Sequence, residues 1–418
     1  MYDIRLTEDQ LEISETVRDF VAREVKPVVL HPDRLEDFAP ALPWAILDQA
    51  SHMGLRASAL SEEAGGAGAD TLTSCLIMEE LAAGDVAVAA ILGHTSLLSH
   101  VFFDRLMTPV QRAQFLQPFL SDYRYHLAFA WRDEASDLGW FYHRPRVQEN
   151  VITMNAVRKG NGDWVINGTS RSVLNAPIAK LIAVQVKTDP AQPGARGTSI
   201  LLVPRDTPGL SVRECDRTGA DPEGGVLMGW DNGSAGELIF KDCRVPADFL
   251  LGKEGQGAAM AAPMQRSVPE CAALNLGIGR AAYEAALDYA KLRRQGGRYI
   301  IEHEAIGTIL ADLAIKLEVA RNVIWKAAWV VDHPDLYPQP GRAALPLGTI
   351  AKVYTSEIVH EVTLGAEECF GGMGVMRDMP LHKYVHDGLV FLHGATSNSA
   401  AKLRISEMLA GYERQPQQ

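Results

Sequence analysis

Two titratable side chains in the last part of the chain have the chemistry of a proton-transferring group. His393 stands beside Gly394 and carries an imidazole whose ordinary pKa is close to neutrality. Glu270 follows Pro269 at the start of an apolar stretch, where burial would make its carboxylate more basic. Each also has a simpler interpretation: a surface or packing histidine, and a first-turn acid stabilised by the helix dipole. Both interpretations stay open.

A second group of residues has the chemistry of a dinucleotide or phosphate site. Arg293 and Arg294 can donate charge-assisted hydrogen bonds to a pyrophosphate, or they can form a solvated basic helix end. Gly371 and Gly372 predict either a close approach to a ligand or a turn that ends a helix. Ser136 offers a hydroxyl or an N–H donor to a cofactor.

The composition excludes several classes of protein. The 418 residues suffice for about two or three domains, and 47% hydrophobic with 22% charged residues is typical of a globular protein. A net charge of −12 leaves no basic field for a nucleic-acid partner. The 5 cysteines form no CxxC pair and no Cys/His cluster with metal-ligand spacing. We therefore expect no metal site, reduced thiols and a cytoplasmic location.

Two stretches bear on membrane association. The N-terminus lacks the basic and apolar segments of a secretory signal. The longest uncharged stretch, residues 86–103, is interrupted by polar residues that include His94 and His100. We expect a buried helix and turn there rather than a membrane span.

Patterns of apolar and turn residues divide the chain into three domains. Residues 1–122 are predicted to be helical: a capping box begins the first helix at Thr7, and Pro27 is expected to end it. Residues 123–241 contain short β-rich runs separated by Gly/Asn turns, which predict a small antiparallel sandwich or barrel. Residues 242–418 return to long apolar helices. The two helical blocks should pack as one unit, with the sheet domain inserted between them.

Several separate stretches resemble acyl-CoA dehydrogenases, in the order and spacing of that family. They are residues 62–70, 164–168, 240–246, 251–257, 293–297 and 368–375. The resemblance implies an α+β fold with an N-terminal helical domain, a middle small β-barrel or sandwich and a C-terminal four-helix bundle. It also implies an FAD-dependent oxidoreductase of fatty acid or lipid catabolism, usually a tetramer with FAD lying across a dimer interface. The implied partners are an acyl-CoA or other acyl thioester and an electron-transfer flavoprotein or similar acceptor.

The family removes a proton alpha to the thioester with a carboxylate base, and this chain has no carboxylate at the matching positions. An ungapped alignment of the tail places Ala395 at the base position and Ser397 at the Thr that follows it. A shift of two residues places His393 there instead. Some family members carry the base on the preceding long helix, where this chain has Ser267, with Glu270 about one turn away.

The positions that the resemblance assigns to ligands are partly altered. Trp131 and Ser136 lie in a loop shorter than the family's, and the flavin-facing Trp and Thr fall on Ser172 and Leu174. The Asp and Arg that serve the thioester fall on Gln265 and Val268, so that Arg266 is a displaced substitute. The adenosine end, with a Glu where the family usually has Gln, comprises Arg293, Gln295, Glu368, Gly371 and Gly372.

Three functions are compatible with these residues. The first is an FAD-dependent acyl thioester dehydrogenase whose base is replaced by His393 or Glu270. The second is a catalytically silent subunit of a heteromeric dehydrogenase, which completes the interface of an intact partner. The third is a flavin monooxygenase on the same fold, which needs no base for the alpha proton.

Overall fold

The computed structural model describes residues 5–37, 42–131, 154–192, 197–214, 229–230, 233–257, 263–337, 345–394 and 397–411. Helices come first along the chain, a β-sheet follows, and helices return after it. The α+β architecture expected from the sequence is confirmed.

The N-terminal helices begin at polar capping residues. The Thr7 hydroxyl accepts a hydrogen bond from the Gln10 N–H at 3.2 Å, and the Gln10 side chain accepts one from the Thr7 N–H at 3.1 Å. This arrangement confirms the first capping box. The helices of this region are α1 (Glu8–Phe20), α2 (Lys26–Val29), α3 (Pro32–Asp37), α4 (Trp44–His52), α5 (Thr71–Ala82), α6 (Val86–Ser99) and α7 (Pro109–Ser121).

The prediction that Pro27 ends the first helix is wrong. A π-helical turn, Val21–Val25, joins α1 to α2, and Pro27 lies in the first turn of α2. Proline is tolerated in a first helical turn because its missing N–H has little to bond there. The wider turn therefore lets the chain continue as helix to Val29.

The apolar stretch that follows α5 is a core helix. With the π-helical segment His100–Leu106, α6 forms a continuous helix, Val86–Leu106, that is long and apolar enough to cross a membrane. However, 89% of its apolar window is buried within the protein, against other helices and the sheet. The expected buried helix is confirmed. The turn expected after it is not formed, because the π-helical segment continues the helix.

The middle of the chain forms a mixed sheet. Its order within the described residues is β6-β7-β3-β2-β4-β5-β8, with β1 pairing in parallel to β4. The sheet was expected to be antiparallel, and that prediction is wrong because β1 and β2 pair in parallel with β4. The strands β1, β2, β6 and β8 were not predicted; β1 is buried along its whole length and shows no alternation. The strands are β1 (His126–Ala130), β2 (Asn155–Arg158), β3 (Trp164–Leu174), β4 (Ala179–Lys187), β5 (Thr198–Pro204), β6 (Leu210–Glu214), β7 (Ala235–Val245) and β8 (Leu250–Leu251).

The C-terminal part is a helical bundle in which two long helices run side by side in the same direction. A methyl group built on Gly348 would lie 3.3 Å from the Val268 Cβ, and one on Gly279 would lie 2.9 Å from the Val359 Cγ2. The small residues thus allow α8 and α10 to approach closely. The elements are α8 (Ser267–Leu292), β9 (Arg294–Gln295), β10 (Arg298–Tyr299), α9 (Glu304–Asp332), α10 (Leu347–Phe370), α11 (Leu381–His393) and α12 (Asn398–Leu409).

Two hydrophobic cores hold these parts together. One core is shared by the N-terminal helices and the bundle, as the packing of Leu81 and Ala282 into the same cluster shows. The other joins the sheet to α6 and α7, with Phe119 and Trp164 at its centre. The two helical blocks therefore pack as one unit, as expected.

A buried charged cluster fixes α11 against the other two regions. The Lys383 ammonium lies 2.5 Å from the Asp387 carboxylate and 3.1 Å from that of Asp85, which caps α6. The Trp230 N–H, from the loop before β7, donates to Asp387 at 2.6 Å. This clamp positions α11.

Candidate functional site

The parallel course of α8 and α10 gives the bundle two distinct ends. Because α8 is 26 residues long, its ends lie about 39 Å apart at the rise of an α-helix. Arg266, Glu270, His393 and Ser397 lie at the end where α8 and α10 begin. At the opposite end lie Arg293, Gln295, Glu368, Gly371 and Gly372. One chain therefore does not bring all the predicted site residues together.

At the far end of the bundle, where α8 and α10 end, these two helices are joined by aromatic stacking. The rings of Tyr289 and Phe370 lie 4.2 Å apart and nearly parallel. Just beyond α8, the strands β9 and β10 form a hairpin whose turn is Gly296-Gly297, with φ of +62° and +84°. Only glycine adopts this backbone readily. The hairpin is exposed at this end of the bundle.

This hairpin presents cationic side chains to solvent. Arg293, Arg294 and Arg298 are exposed, and none of them forms an ion pair with a carboxylate in the part of the chain that the structure describes. Guanidinium groups without a carboxylate partner can donate paired hydrogen bonds to phosphate oxygens. The donor set fits a dinucleotide pyrophosphate.

The glycine turn after α10 is open to a ligand. Gly371 ends α10 with a φ of +56°, and a methyl group built on Gly371 or Gly372 would meet no atom within 4 Å. The neighbouring Glu368 side chain is exposed. Its carboxylate can thus turn away from an anionic ligand, which removes the electrostatic objection to a glutamate at this position.

At the near end of the bundle, where α8 and α10 begin, Glu270 is a buried carboxyl group. Burial raises its pKa to about 7, with Asp332 adding to the increase and Arg266 opposing it. The Arg266 Nε lies 4.0 Å from the Glu270 Oε1, and neither atom has a hydrogen-bond partner among the described residues. Glu270 is therefore a carboxyl that can exchange a proton near neutral pH.

Arg266 points into the protein. Its Nη2 donates to the Ala69 carbonyl at 2.6 Å, and the residue is 9% exposed. Asp332, the last residue of α9, accepts hydrogen bonds from the N–H and hydroxyl of Thr71 at the start of α5. Arg266 and Glu270 thus lie together between α5 and α9, and their assignments as substrate ligand and base stay predictions.

The turn between α11 and α12 contains no carboxylate. His393 is the last residue of α11 and is exposed, and Ser397 caps α12 by accepting the Ala400 N–H at 3.3 Å. Ala395 lies outside the described residues. Residues 388–406 include neither Asp nor Glu. His393 and Ser397 therefore flank the expected base position, and a carboxylate base from this segment is excluded.

A buried lysine beside this turn was missed from the sequence. The Lys352 Nζ donates to the Asn398 Oδ1 at 2.7 Å, and the Ser356 hydroxyl exchanges hydrogen bonds with the same amide. Lys352 is only 6% exposed, and burial lowers its pKa. Helical periodicity would have found it, because Lys352 shares the buried stripe of α10 with Ser356 and Val359.

The thiol of Cys271, on α8, is electrostatically coupled to this lysine. Burial raises the pKa of Cys271 to about 11, and Lys352 opposes that increase. Ser267 precedes Cys271 by four residues and therefore lies on the same face of α8. Lys352, Asn398 and Cys271 thus bring the first turns of α10, α12 and α8 together here.

The positions of the sheet domain that the resemblance assigns to the flavin are described only in part. Trp131 directly follows β1 and is 46% exposed, whereas Ser136 lies outside the described residues. Ser172 has a φ of +54° within β3. That backbone is uncommon for a residue with a side chain. It coincides with a register irregularity between β3 and β7.

The similarities to known proteins agree with this three-part architecture. The N-terminal, middle and C-terminal domains of acyl-CoA dehydrogenases match residues 7–122, 147–243 and 253–409. An acyl-CoA dehydrogenase of Bacillus subtilis is 30% identical over 98% of this chain and 100% of its own length. The mitochondrial isobutyryl-CoA dehydrogenase of Dictyostelium discoideum is 28% identical over 97% of this chain and 90% of its own. The structure of butyryl-CoA dehydrogenase from Megasphaera elsdenii has a TM-score of 0.83 at 26% identity, covering 98% of this chain and 100% of that one.

Proposed function

Because this chain belongs to the acyl-CoA dehydrogenase family of FAD-dependent flavin oxidoreductases, we propose that it desaturates an acyl thioester between the alpha and beta carbons with an altered base. One observation carries the proposal. The hairpin that carries Arg293 and Gln295, the candidate phosphate ligands, is formed and exposed, while residues 388–406, where the base is expected, contain no carboxylate. The cofactor chemistry is thus supported and the proton transfer is changed.

The far end of the bundle would hold the adenosine and pyrophosphate part of FAD. Arg293 and Gln295 offer donors from the hairpin, and Gly371 and Gly372 offer an open backbone. Trp131, Ser136 and Ser397 are the corresponding candidates near the flavin ring. The cofactor supplies a hydride acceptor for the beta carbon. His393 and Glu270 are the bases that sequence reasoning proposes for the alpha proton.

The assembly follows from the separation of the two ends. Since about 39 Å of helix divides them, a site that uses both ends needs a second chain. We propose a homo-tetramer or a hetero-oligomer with a second acyl-CoA dehydrogenase-like chain, with an electron-transfer flavoprotein or similar protein as acceptor. The described cysteines Cys75, Cys243, Cys271 and Cys369 are unpaired thiols. That state fits the reducing cytoplasm, where we place the protein.

Product analysis tests this function. The purified chain, loaded with FAD, is mixed with acyl-CoA thioesters and an artificial electron acceptor, and the thioesters are analysed by mass spectrometry. We expect a 2-enoyl thioester, identified by the loss of two hydrogens and by the position of its double bond. A hydroxylated thioester, or one formed only with oxygen, would indicate a monooxygenase instead.

A silent subunit is the second candidate, and the missing carboxylate together with the divided site favours it. In that case Arg293, Gln295 and the Gly371-Gly372 turn complete the flavin site of a partner that has its own base. Co-expression with a dehydrogenase-like chain that keeps the carboxylate distinguishes the two. A stable mixed oligomer, active only when both chains are present, would establish the silent role.

A further inference from the structure

We propose that His303 is a positioning residue of the hairpin formed by β9 and β10, and that the gain of a proton by its ring weakens FAD binding. This inference rests on the proposed function, in which the hairpin holds the pyrophosphate part of FAD, and it adds a pH dependence to that site. The His303 ring lies against the hairpin turn, since a methyl group built on Gly296 would lie 3.4 Å from the ring Cε1.

Both ring nitrogens of His303 are bound within the hairpin. The Nδ1 atom lies 3.2 Å from the Arg298 Nη2, and the Nε2 atom lies 3.1 Å from the Gln295 carbonyl oxygen. A guanidinium can only donate hydrogen bonds, and a carbonyl can only accept them. Nδ1 is therefore the acceptor, the ring proton is on Nε2, and the ring is neutral. One neutral imidazole thus connects the two strands.

This contact holds Arg298 on the face of the hairpin that carries the candidate phosphate ligands. Arg298 pairs with Gln295 across the two strands, and residues directly opposite in an antiparallel pair share a face. Arg293 has an extended backbone and precedes Gln295 by two residues, so it lies on that face as well. Arg294 pairs with Tyr299, and its guanidinium lies 4.9 Å from that ring on the other face. Arg298 is thus a third cation on the ligand side.

A second proton on the ring would reverse the contact between His303 and Arg298. The proton would add to Nδ1, the atom that now accepts, and two positively charged donors would then face each other. Neither ring nitrogen is free to donate to a phosphate, because both are directed at groups of the hairpin. Repulsion of Arg298 is therefore the main effect of the added charge.

No nearby carboxylate compensates for that charge. The other charged groups on the elements packed around the ring are Asp288 and Lys291 in the last turns of α8, Arg293, Arg294, Glu302 and Glu304. The Glu302 carboxylate accepts the Tyr299 N–H at 2.8 Å. Within the residues that the structure describes, none of these carboxylates forms an ion pair with His303. Protonation of the ring thus frees Arg298 from the hairpin.

The affinity for FAD as a function of pH measures this effect without any turnover. The full-length protein is titrated with FAD between pH 8 and pH 5 and followed by flavin fluorescence. Sedimentation at each pH checks that the oligomeric state is unchanged. Acidification adds a second proton to an imidazole, so we expect binding to be about 10-fold weaker at pH 5 than at pH 8, the usual effect of losing a hydrogen bond to a charged group.

Replacing either partner should remove the pH dependence. His303→Gln keeps a donor and an acceptor but does not titrate, so its affinity should be constant across this range. In Arg298→Met a protonated ring has no cation to repel, and the affinity should be about 10-fold weaker than the wild type at pH 8 and constant with pH. His333→Gln, which changes an exposed histidine at the other end of α9, is the matched control and should keep the wild-type pH dependence. Circular dichroism confirms the folding of each variant.

Three results would overturn the inference and leave the proposed function standing. They are a wild-type affinity that is the same at pH 5 and pH 8, tighter binding at pH 5, and a wild-type pH dependence that persists in His303→Gln or Arg298→Met. Tighter binding at pH 5 would show that the added charge attracts the pyrophosphate. A wild-type protein that binds no FAD at any pH would contradict the inference and the proposed function together.

Discussion

The buried carboxyl of Glu270 should make the protein less stable as the pH rises through neutrality. Its pKa is raised from 4.5 to about 7 by burial, with Arg266 only partly offsetting the effect. Between these two values the folded state keeps a proton that the unfolded state has released. Stability therefore falls with increasing pH across this window. Glu270→Gln, which places an uncharged amide in the same space, should remove that dependence.

The size of the effect follows from the pKa difference. Each pKa unit corresponds to about 1.4 kcal/mol. At pH values above both pKa values, ionisation of the buried carboxyl therefore lowers the free energy of unfolding by about 3 kcal/mol. At pH 4, below both pKa values, the linkage contribution is nearly absent, and any difference in the free energy of unfolding reflects the cost of the buried amide alone. At pH 8 the variant should be the more stable by up to about 3 kcal/mol, less any cost of burying the amide.

Urea unfolding at a series of pH values, followed by circular dichroism, measures this difference. Glu63→Gln, which changes an exposed carboxylate, is the matched control and should leave the pH dependence as in the wild type. If the stability difference between Glu270→Gln and the wild type stays the same from pH 4 to pH 8, the carboxyl is not desolvated, and the reasoning from its burial is refuted.

Three further substitutions test the cofactor site and the packing. Arg293→Ala should weaken FAD binding by about 10- to 100-fold, the loss of a charge-assisted hydrogen bond, and an unchanged affinity in flavin fluorescence titration would contradict the phosphate role. Gly279→Ala places a methyl group 2.9 Å from Val359 and should cost about 1–3 kcal/mol by overpacking, which an unshifted urea midpoint would disprove. Asp387→Asn removes one of the two counter-charges of the buried Lys383. It should cost about 3 kcal/mol, measured as a lower urea midpoint, and a wild-type midpoint would show that Asp85 alone suffices.

Periodicity, capping and turn residues predicted the order of helices, sheet and helices, whereas the particular fold was implied by the resemblance to acyl-CoA dehydrogenases. The capping box at Thr7 and the long apolar stripes of α8, α9 and α10 gave the correct type of element in each case. Two of the errors had local causes. Pro27 was expected to stop a helix that a π-helical turn allows to continue. The strand β1 was missed because complete burial gives no alternation to detect.

The candidate site was less predictable, because its geometry depends on which helix faces meet. From the sequence alone, Glu270 lies about one turn from Ser267. Because successive residues of an α-helix are rotated by about 100°, the Glu270 side chain faces α5 and not Lys352. The Lys383 clamp joins residues from three regions far apart in the chain. No local pattern predicts such contacts. Arg293 and Gln295 were named as candidates because the motif that contains them is continuous in the sequence, but the hairpin that carries them was not predicted.

The central claim is that this chain is a flavin-dependent dehydrogenase of acyl thioesters in its own right. The most direct measurement is the visible absorption spectrum of the chain purified alone, before and after adding FAD, and then after adding acyl-CoA without oxygen. We predict stoichiometric flavin absorption that is bleached by a thioester. A flavin that stays oxidised with every thioester, or a protein that takes up no FAD without a partner chain, would contradict the claim.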